Sequence, residues 1–124
     1  MKEIYAIIRM DKVGATREAL AAAGFCRMTA IKVKGRGKLL KDLALVDSVP
    51  DDNRDLLLES MLKGGRLIPK RLLIIAAQAE DVAKIVETII SVNQQGHIGD
   101  GKIFVLPLVD VVRVRTRETG TEAI

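Results

Sequence analysis

Residues 70–96 read KRLLIIAAQAEDVAKIVETIISVNQQG and combine two apolar periodicities. The first part, KRLLIIAA, follows Pro69 and is a continuous apolar run of strand length. The second part, EDVAKIVETIISVNQQG, carries apolar residues at helical spacing before a glycine, namely Val82, Ile85, Val86, Ile89 and Ile90. KIFVLPLVDVVRVRT then supplies more strand, so the sequence predicts a β-α-β unit in the second half of the chain.

The N-terminal part repeats this order. EIYAIIRM predicts a strand, DKVGATREALAAAGF predicts a helix that stops at Gly24, and CRMTAIKVKGRG predicts a second strand with Met28, Ala30 and Val33 directed inward. Two such units predict an α+β fold, a ferredoxin-like double βαβ sandwich with two helices on one face of an antiparallel sheet. Since the strands carry apolar residues toward both faces, we expect self-association to bury the other face.

The composition narrows the classes of function. The chain has 124 residues, so residues 1–124 are expected to form a single domain. With two phenylalanines, one tyrosine, no tryptophan and interspersed charges that sum to +4, we expect no nucleic-acid binding. One cysteine and one histidine exclude an internal disulfide and a cysteine-based metal cluster. Without a signal-peptide pattern or a membrane-spanning apolar run, we expect a cytoplasmic protein without direct membrane insertion.

A segment of about thirty residues, from Lys38 to Leu67, has no clear place in this sandwich, and loops of that length are usually functional or disordered. It contains LLLESML, residues 56–62, which would suit a short amphipathic helix formed on binding. A floppy insertion is the alternative, and the composition leaves both interpretations open.

The stretch GHIGDGKIFV, residues 96–105, satisfies the first part of the P-loop pattern GxxxxGK. The P-loop is rejected because Ile103 stands where Ser or Thr must bind Mg²⁺, and because a strand follows instead of a helix. The dinucleotide pattern GxGxxG fails on its spacing. Glycines with positive φ angles can still form an anion-binding nest beside Lys102, the alternative being an ordinary helix-to-strand turn.

The stretch VVRVRT, residues 111–116, favours the anion site. Strand alternation would place Arg113 and Arg115 on one face, where they repel each other unless an anion lies between them. Together with the glycines and Lys102 they predict a polyphosphate site. No nucleophile with a base and no carboxylate pair accompanies it, so the sequence predicts binding without catalysis and not an enzyme.

These residues resemble the PII nitrogen-regulatory signal proteins. GHIGDGKIFV followed by VVRVRT is similar to the C-terminal signature of that family, and REAL, MT and VKGRG are similar to its N-terminal half, so the resemblance covers residues 1–38 and 69–124. It implies a ferredoxin-like trimer that binds ATP or ADP in clefts between subunits, with Mg²⁺ and ATP supporting 2-oxoglutarate binding. The insertion at about residues 38–68 becomes the T-loop, the arm with which the family contacts target proteins.

The resemblance also implies roles for single residues. The phosphate loop would consist of Gly99, Asp100, Gly101 and Lys102. Arg113 and Arg115 would reach phosphates, at least one of them across the subunit boundary. The other nucleotide positions are Thr29 at the adenine, Gly37 and Lys38 at the base of the T-loop, and Ala76 at a strand end. Lys70 is similar to the lysine that pairs with the 2-oxoglutarate carboxylate. The partner-binding positions would be Lys41, Asp47, Asp51, Arg54, Leu57 and Met61.

The chain departs from the family pattern at several positions. GRGKLLK replaces GFGRQKG, and Leu39 has no oxygen to join magnesium and 2-oxoglutarate, which argues against direct 2-oxoglutarate binding. The T-loop has no tyrosine, so tyrosine uridylylation is excluded there. His97 and Arg117 stand where Lys and Gly are more frequent. A lengthened T-loop of this kind resembles the branch encoded with nitrogenase, whose members work as pairs of related chains.

We therefore expect a nitrogen regulator whose T-loop shape responds to ligand occupancy. Nitrogenase is the favoured target, with an ammonium transporter or a biosynthetic enzyme as alternatives. The assembly would be a homotrimer or an oligomer mixed with a sister chain. The alternative function is an adenylate-charge sensor without a 2-oxoglutarate response.

Overall fold

The computed structural model describes residues 1–37 and 67–124. In these residues the order of elements is β1 (Lys2–Ile8), α1 (Val13–Ala22), β2 (Thr29–Gly35), β3 (Ile68–Ala77), α2 (Val82–Asn93) and β4 (Gly101–Pro107). Short 3-10 turns at Met10–Lys12 and Ala79–Asp81 lead into the two helices, and a third spans Gly120–Ala123. The two strand–helix–strand units predicted from the sequence are confirmed.

The four strands form one sheet in the order β2-β3-β1-β4, and every neighbouring pair is antiparallel. β1 and β2, which are consecutive in the chain, are separated by β3 because each connecting helix crosses over one face of the sheet. This is the ferredoxin-like α+β arrangement predicted from the repeated units.

The core lies between the sheet and the two helices. Alternate residues of β1 are buried, namely Ile4, Ala6 and Ile8, and the same alternation on β3 buries Leu73, Ile75 and Ala77. The helices complete the core with Leu20, Ile85 and Ile89. Full burial of each isoleucine or leucine contributes about 2–3 kcal/mol, so these positions carry much of the stability.

A buried polar pair joins the two helices. Asn93, at the end of α2, donates from Nδ2 to Thr16 Oγ1 at 2.9 Å and to the Ile89 carbonyl at 2.9 Å. Thr16 in turn donates to the Lys12 carbonyl at 2.7 Å. These bonds fix the register of α1 against α2, because a shift would leave the buried donors without acceptors.

The end of α1 matches its sequence signal. Gly24 has φ +96°, a conformation that glycine adopts readily, and its N–H donates to the Ala21 carbonyl at 3.0 Å. The Phe25 N–H then donates to the Leu20 carbonyl at 2.8 Å, and the Phe25 ring packs against the core. The predicted stop at Gly24 is confirmed.

The face of the sheet opposite the helices is apolar and uncovered in the single chain. We call it the open face. The strand registers place Ile31, Leu72 and Ile7 in one row of it, and Ile74, Tyr5 and Phe104 in the next row. Ile31 is 42% exposed and Phe104 is 44% exposed. The apolar character of this face is thus confirmed, while its burial by self-association stays a prediction.

Three details of the strand predictions are wrong. Ala30 is exposed, because the helices lie over β1 and β3 and leave β2 uncovered. Val33 pairs with Lys70 and lies on the open face, two residues from Ile31, and is not directed toward the helices. The last strand ends at Pro107, and only an isolated bridge between Val112 and Thr119 follows, so VVRVRT is not a continuous strand. Proline has no N–H to donate, which favours the end of the strand there.

Neither helix of the described residues is long and apolar enough to cross a membrane.

Candidate functional site

The segment from Gly96 to Gly101, here called the glycine loop, connects α2 to β4. Three of its glycines have positive φ angles, +76° at Gly96, +93° at Gly99 and +133° at Gly101. At Gly101 a Cβ atom would overlap the backbone carbonyl oxygen of Ile7 on the neighbouring strand. This close approach explains why glycine is required where the loop enters the sheet.

Asp100 braces the glycine loop from within. Its Oδ2 accepts hydrogen bonds from the backbone N–H of Gln95 at 2.7 Å and of His97 at 3.2 Å. The bond from Gln95 is the main reason that the pKa of Asp100 lies below its ordinary value. The Asp100 N–H also donates to the His97 carbonyl at 3.2 Å. The carboxylate therefore organises the backbone of the loop, a role that its place in the motif did not reveal.

Two cations from other strands hold the loop from outside. Arg9, directly after β1, donates from Nη2 to the Ile98 carbonyl at 2.9 Å and lies 3.4 Å from Asp100 Oδ1. Lys70 of β3 donates from Nζ to the Gly99 carbonyl at 2.7 Å. Partial burial, and then the nearby positive charge of Arg9, lower the pKa of Lys70. Sequence reasoning missed Arg9, although a basic residue directly after an apolar strand was a usable signal.

The cationic pair Arg9 and Lys70 has spare capacity to bind an anion. Arg9 Nε is buried and has no hydrogen-bond partner among the described residues. The remaining N–H groups of Lys70 Nζ and of the Arg9 guanidinium, which is 32% exposed, can donate to an external acceptor. Two like charges held close together are also relieved by an anion beside them.

The remaining predicted positions are distributed over the sheet. Lys102 is exposed, and its pairing with Ile7 places it on the open face. Gly37 lies two residues beyond the end of β2, at the same end of the sheet as the glycine loop. Thr29 is at the start of β2 on the open face, opposite Ile74. Ala76 pairs with Glu3, at the other end of the sheet from the glycine loop.

Thr29 and the glycine loop do not meet within one chain. β2 and β4 are the two edges of the sheet, so three strand spacings of about 4.8 Å, or roughly 14 Å, separate them. The structure thus brings Lys70, Gly99, Asp100, Gly101 and Lys102 together and leaves Thr29 apart.

The C-terminal arginines also lie apart from the glycine loop. β4 runs away from the loop for roughly 20 Å, and the Leu108 N–H after it donates to the Met1 carbonyl at the far end of the sheet. Arg113 and Arg115 follow there. Within one chain, the polyphosphate site predicted from the loop and both arginines is therefore not assembled.

Arg113 and Arg115 differ in their surroundings. The Arg113 guanidinium donates to Glu118 Oε1 at 3.1 Å and to the Glu122 carbonyl at 3.2 Å. Arg115 is exposed. The expectation that they share one strand face is wrong, because the chain turns here. Arg117 has φ +62° and donates its N–H to the Arg113 carbonyl at 2.8 Å.

The other predicted positions lie outside the described residues. They are Lys38, Leu39, Lys41, Asp47, Asp51, Arg54, Leu57 and Met61, together with the LLLESML stretch.

Comparisons with known proteins converge on one family. A family model described as Nitrogen regulatory protein P-II matches residues 1–118. The "Nitrogen fixation nifHD region GlnB-like protein 2" of Methanobacterium ivanovii is 48% identical over 126 residues, covering 100% of this chain and 99% of the relative. The "Nitrogen regulatory protein P-II 2" of Methanothermobacter thermautotrophicus is 42% identical over 124 residues, with 100% and 97% covered. The crystal structure of Arabidopsis thaliana PII bound to citrate is similar with a TM-score of 0.72 and 30% identity, covering 98% of this chain and 87% of that one.

Proposed function

Since the chain belongs to the nitrogen regulatory protein P-II family, we propose that it binds ATP or ADP and regulates a target protein of nitrogen metabolism. The family is one of regulatory proteins, and the proposal assigns this chain no catalysis. Several similar proteins are named for the nifHD region of nitrogen fixation, which makes nitrogenase the favoured target. An ammonium transporter or a biosynthetic enzyme is the alternative target.

The glycine loop carries this proposal. Three of its glycines have positive φ angles, and Arg9, Lys70 and Lys102 supply positive charge around it. A polyphosphate has many oxygen acceptors and negative charge spread over several ångströms, so it suits this set of donors.

The nucleotide site would be completed by a second copy of the chain or by a sister chain. Thr29 and Arg115 both lie far from the glycine loop within one chain, so a nucleotide that touches all three must lie in a cleft between subunits. The apolar open face, with Leu72 and Phe104, supplies a surface for that association. The assembly would be a homotrimer or a mixed oligomer.

Mg²⁺ would enter with ATP. In the part of the chain that the structure describes, no three His, Cys, Asp or Glu side chains gather into a group that could hold a metal ion. The phosphate oxygens would then supply most of the ligands, as is usual for magnesium with nucleotides.

The response to 2-oxoglutarate separates two versions of the function. The cations Arg9 and Lys70 suit a carboxylate, which favours a metabolite site beside the glycine loop. Leu39 supplies no oxygen ligand, which favours an adenylate-charge sensor without a metabolite response.

Calorimetric titration of the purified chain with ATP and Mg²⁺, with and without 2-oxoglutarate, tests both versions. Binding of 2-oxoglutarate that depends on ATP supports nitrogen sensing. Binding of ATP alone supports the adenylate-charge sensor. If neither ATP nor ADP binds to the homo-oligomer or to its mixture with the sister chain, the proposal is wrong.

Mixing two variants tests the position of the site between subunits. Lys102→Ala and Arg115→Ala should each abolish most ATP binding alone. Denaturing them together and refolding the mixture should restore binding in about one quarter of the clefts, because random association joins two intact halves at that frequency. No recovery, with the oligomer intact by sedimentation, would place both residues in the site of a single chain.

Deletion of residues 41–63 tests the T-loop as the contact with the target. We expect the deletion variant to keep its ATP affinity and to lose co-purification with the target, with nitrogenase tried first. Loss of ATP binding instead would show that the segment belongs to the nucleotide site.

A further inference from the structure

A second basic surface lies on the helix side of the sheet, away from the open face. Lys32 of β2 is directly opposite Arg71 of β3, and Lys34 lies two residues further along the same face of β2. Because α1 and α2 cover β1 and β3 but not β2, Lys32 and Lys34 are exposed. With Met10, Val33, Pro69 and Lys70 these residues line an open groove of about 410 Å³. We call it the basic groove.

The charge arrangement in the basic groove is unfavourable without a partner. Like charges directly opposite each other on neighbouring strands destabilise a sheet. The ion pairs within residues 1–37 and 67–124 are Arg9–Asp100 and Arg113–Glu118, so no carboxylate of these residues pairs with Lys32, Lys34 or Arg71. Asp11 lies on the neighbouring 3-10 turn and is exposed. An external anion would offset the repulsion.

The basic groove adjoins the glycine loop at Lys70, which lines the groove and donates to the Gly99 carbonyl, but its row of charges lies on the other face of the sheet from Lys102. Lys102 belongs to the open face, whereas Lys32 and Arg71 belong to the other face, since Arg71 also pairs with the buried Ile8. Association through the open face would therefore leave Lys32, Lys34 and Arg71 accessible.

We propose that the basic groove binds an acidic, extended segment of a partner protein. Residues two apart on a strand are about 7 Å apart, which is also the spacing of alternate carboxylates on an extended peptide, so Lys32 and Lys34 match such a segment. Met10, which is 48% exposed, and Pro69 add apolar surface for the peptide backbone and side-chain stems. A small anion would contact only part of this row of charges.

Fluorescence polarisation with labelled hexaglutamate and the full-length chain at low salt tests the proposal. The double variant Lys32→Gln/Arg71→Gln should bind hexaglutamate about tenfold more weakly than the unaltered chain, since each exposed ion pair contributes modestly. The matched control Arg17→Gln/Lys84→Gln removes the same charge from the helices and should stay within about twofold of the unaltered chain. Because the double variant removes a repulsive pair, its thermal midpoint should not fall.

Three outcomes would overturn the proposal. If Arg17→Gln/Lys84→Gln weakens hexaglutamate binding as much as Lys32→Gln/Arg71→Gln does, only net charge attracts the peptide. If Lys102→Gln loses hexaglutamate binding and Lys32→Gln/Arg71→Gln retains it, the peptide binds at the glycine loop and not in the basic groove. Displacement of the peptide by citrate at equal carboxylate concentration would make the groove a site for small anions. The test uses no nucleotide, so its result is independent of the proposed ATP site.

Discussion

Lys70 Nζ donates a hydrogen bond to the Gly99 carbonyl at 2.7 Å and ties β3 to the glycine loop 29 residues further along the chain. The same loop is held by Arg9 through the Ile98 carbonyl at 2.9 Å. Two successive carbonyls are therefore fixed by two cations, Lys70 on β3 and Arg9 directly after β1. The remaining N–H groups of both cations can still donate to a carboxylate, so an anion bound at Lys70 would lie directly beside the glycine loop.

Removing the Lys70 ammonium should loosen the glycine loop. In Lys70→Met, the amide protons of Gln95 and His97 should exchange about fivefold faster, because a hydrogen bond to a charged donor contributes about 1 kcal/mol or more. Hydrogen exchange by NMR measures this, with Lys84→Met on α2 as the control. Unchanged exchange at both amides would show that Asp100 orders the loop without Lys70.

Two glycine substitutions should have opposite effects. Gly101→Ala should destabilise the protein by about 2–4 kcal/mol, because the new methyl group overlaps the Ile7 carbonyl and the φ of +133° is strained for alanine. Gly14→Ala, in α1 with no atom in the way, should stabilise it by about 0.5–1 kcal/mol. Urea unfolding at one protein concentration measures both. If Gly101→Ala and Gly14→Ala are equally stable, the close approach of Gly101 to the Ile7 carbonyl is wrong.

Asp100 should contribute to stability only above its titration range. Its folded-state pKa lies below the unfolded value, so its contribution is present above about pH 4 and is lost as the pH falls through the folded pKa. Asp100→Asn should therefore be less stable than the unaltered chain at pH 7, with a smaller difference near pH 3. Urea midpoints at the two pH values measure this. Glu18→Gln on α1 is the control. A stability difference between Asp100→Asn and the unaltered chain that does not change with pH would show that the charge of Asp100 does not stabilise the glycine loop.

The hydrogen bond between Asn93 and Thr16 should carry measurable stability. Thr16→Val removes the acceptor for Asn93 Nδ2 in a buried site and should cost about 1–3 kcal/mol. Thr88→Val removes a hydroxyl with the same local bond, to the Lys84 carbonyl at 2.7 Å, but outside the core, and should cost less than about 0.5 kcal/mol. Thermal unfolding of both variants gives the comparison. Similar losses of stability in the two variants would mean that the hydrogen bond between Asn93 and Thr16 is not the cause of the loss in Thr16→Val.

Arg117 is expected to be a strained position. Its φ of +62° lies in the region that glycine tolerates best, so Arg117→Gly should raise stability by up to about 1 kcal/mol. The exposed Arg115→Gly is the control, and it should not stabilise the chain. Differential scanning calorimetry would detect the shift, and a lower melting temperature for Arg117→Gly would mean that the arginine side chain makes a compensating contact.

The repeated strand–helix–strand order, the end of α1 at Gly24 and the glycine loop were predictable because each depends on residues close together in the chain. Arg9 was missed because its contacts depend on where distant segments meet. The expectation that Arg113 and Arg115 share one strand face was wrong because the chain turns locally, with the Arg117 N–H donating to the Arg113 carbonyl. Strand alternation alone could not show that the chain turns after Pro107, with Arg117 at positive φ and Arg113 held by Glu118.

Local periodicity and the conformational freedom of glycine were enough to establish the elements, their order and the chemical character of the glycine loop. The tertiary structure decided the partners of that loop, because Arg9 and Lys70 reach it only through the strand order β2-β3-β1-β4. It also placed Arg115 at the far end of β4 from Lys102. The physical reason is that a 7-residue strand is rigid and extended, so groups at its two ends cannot share a ligand within one chain.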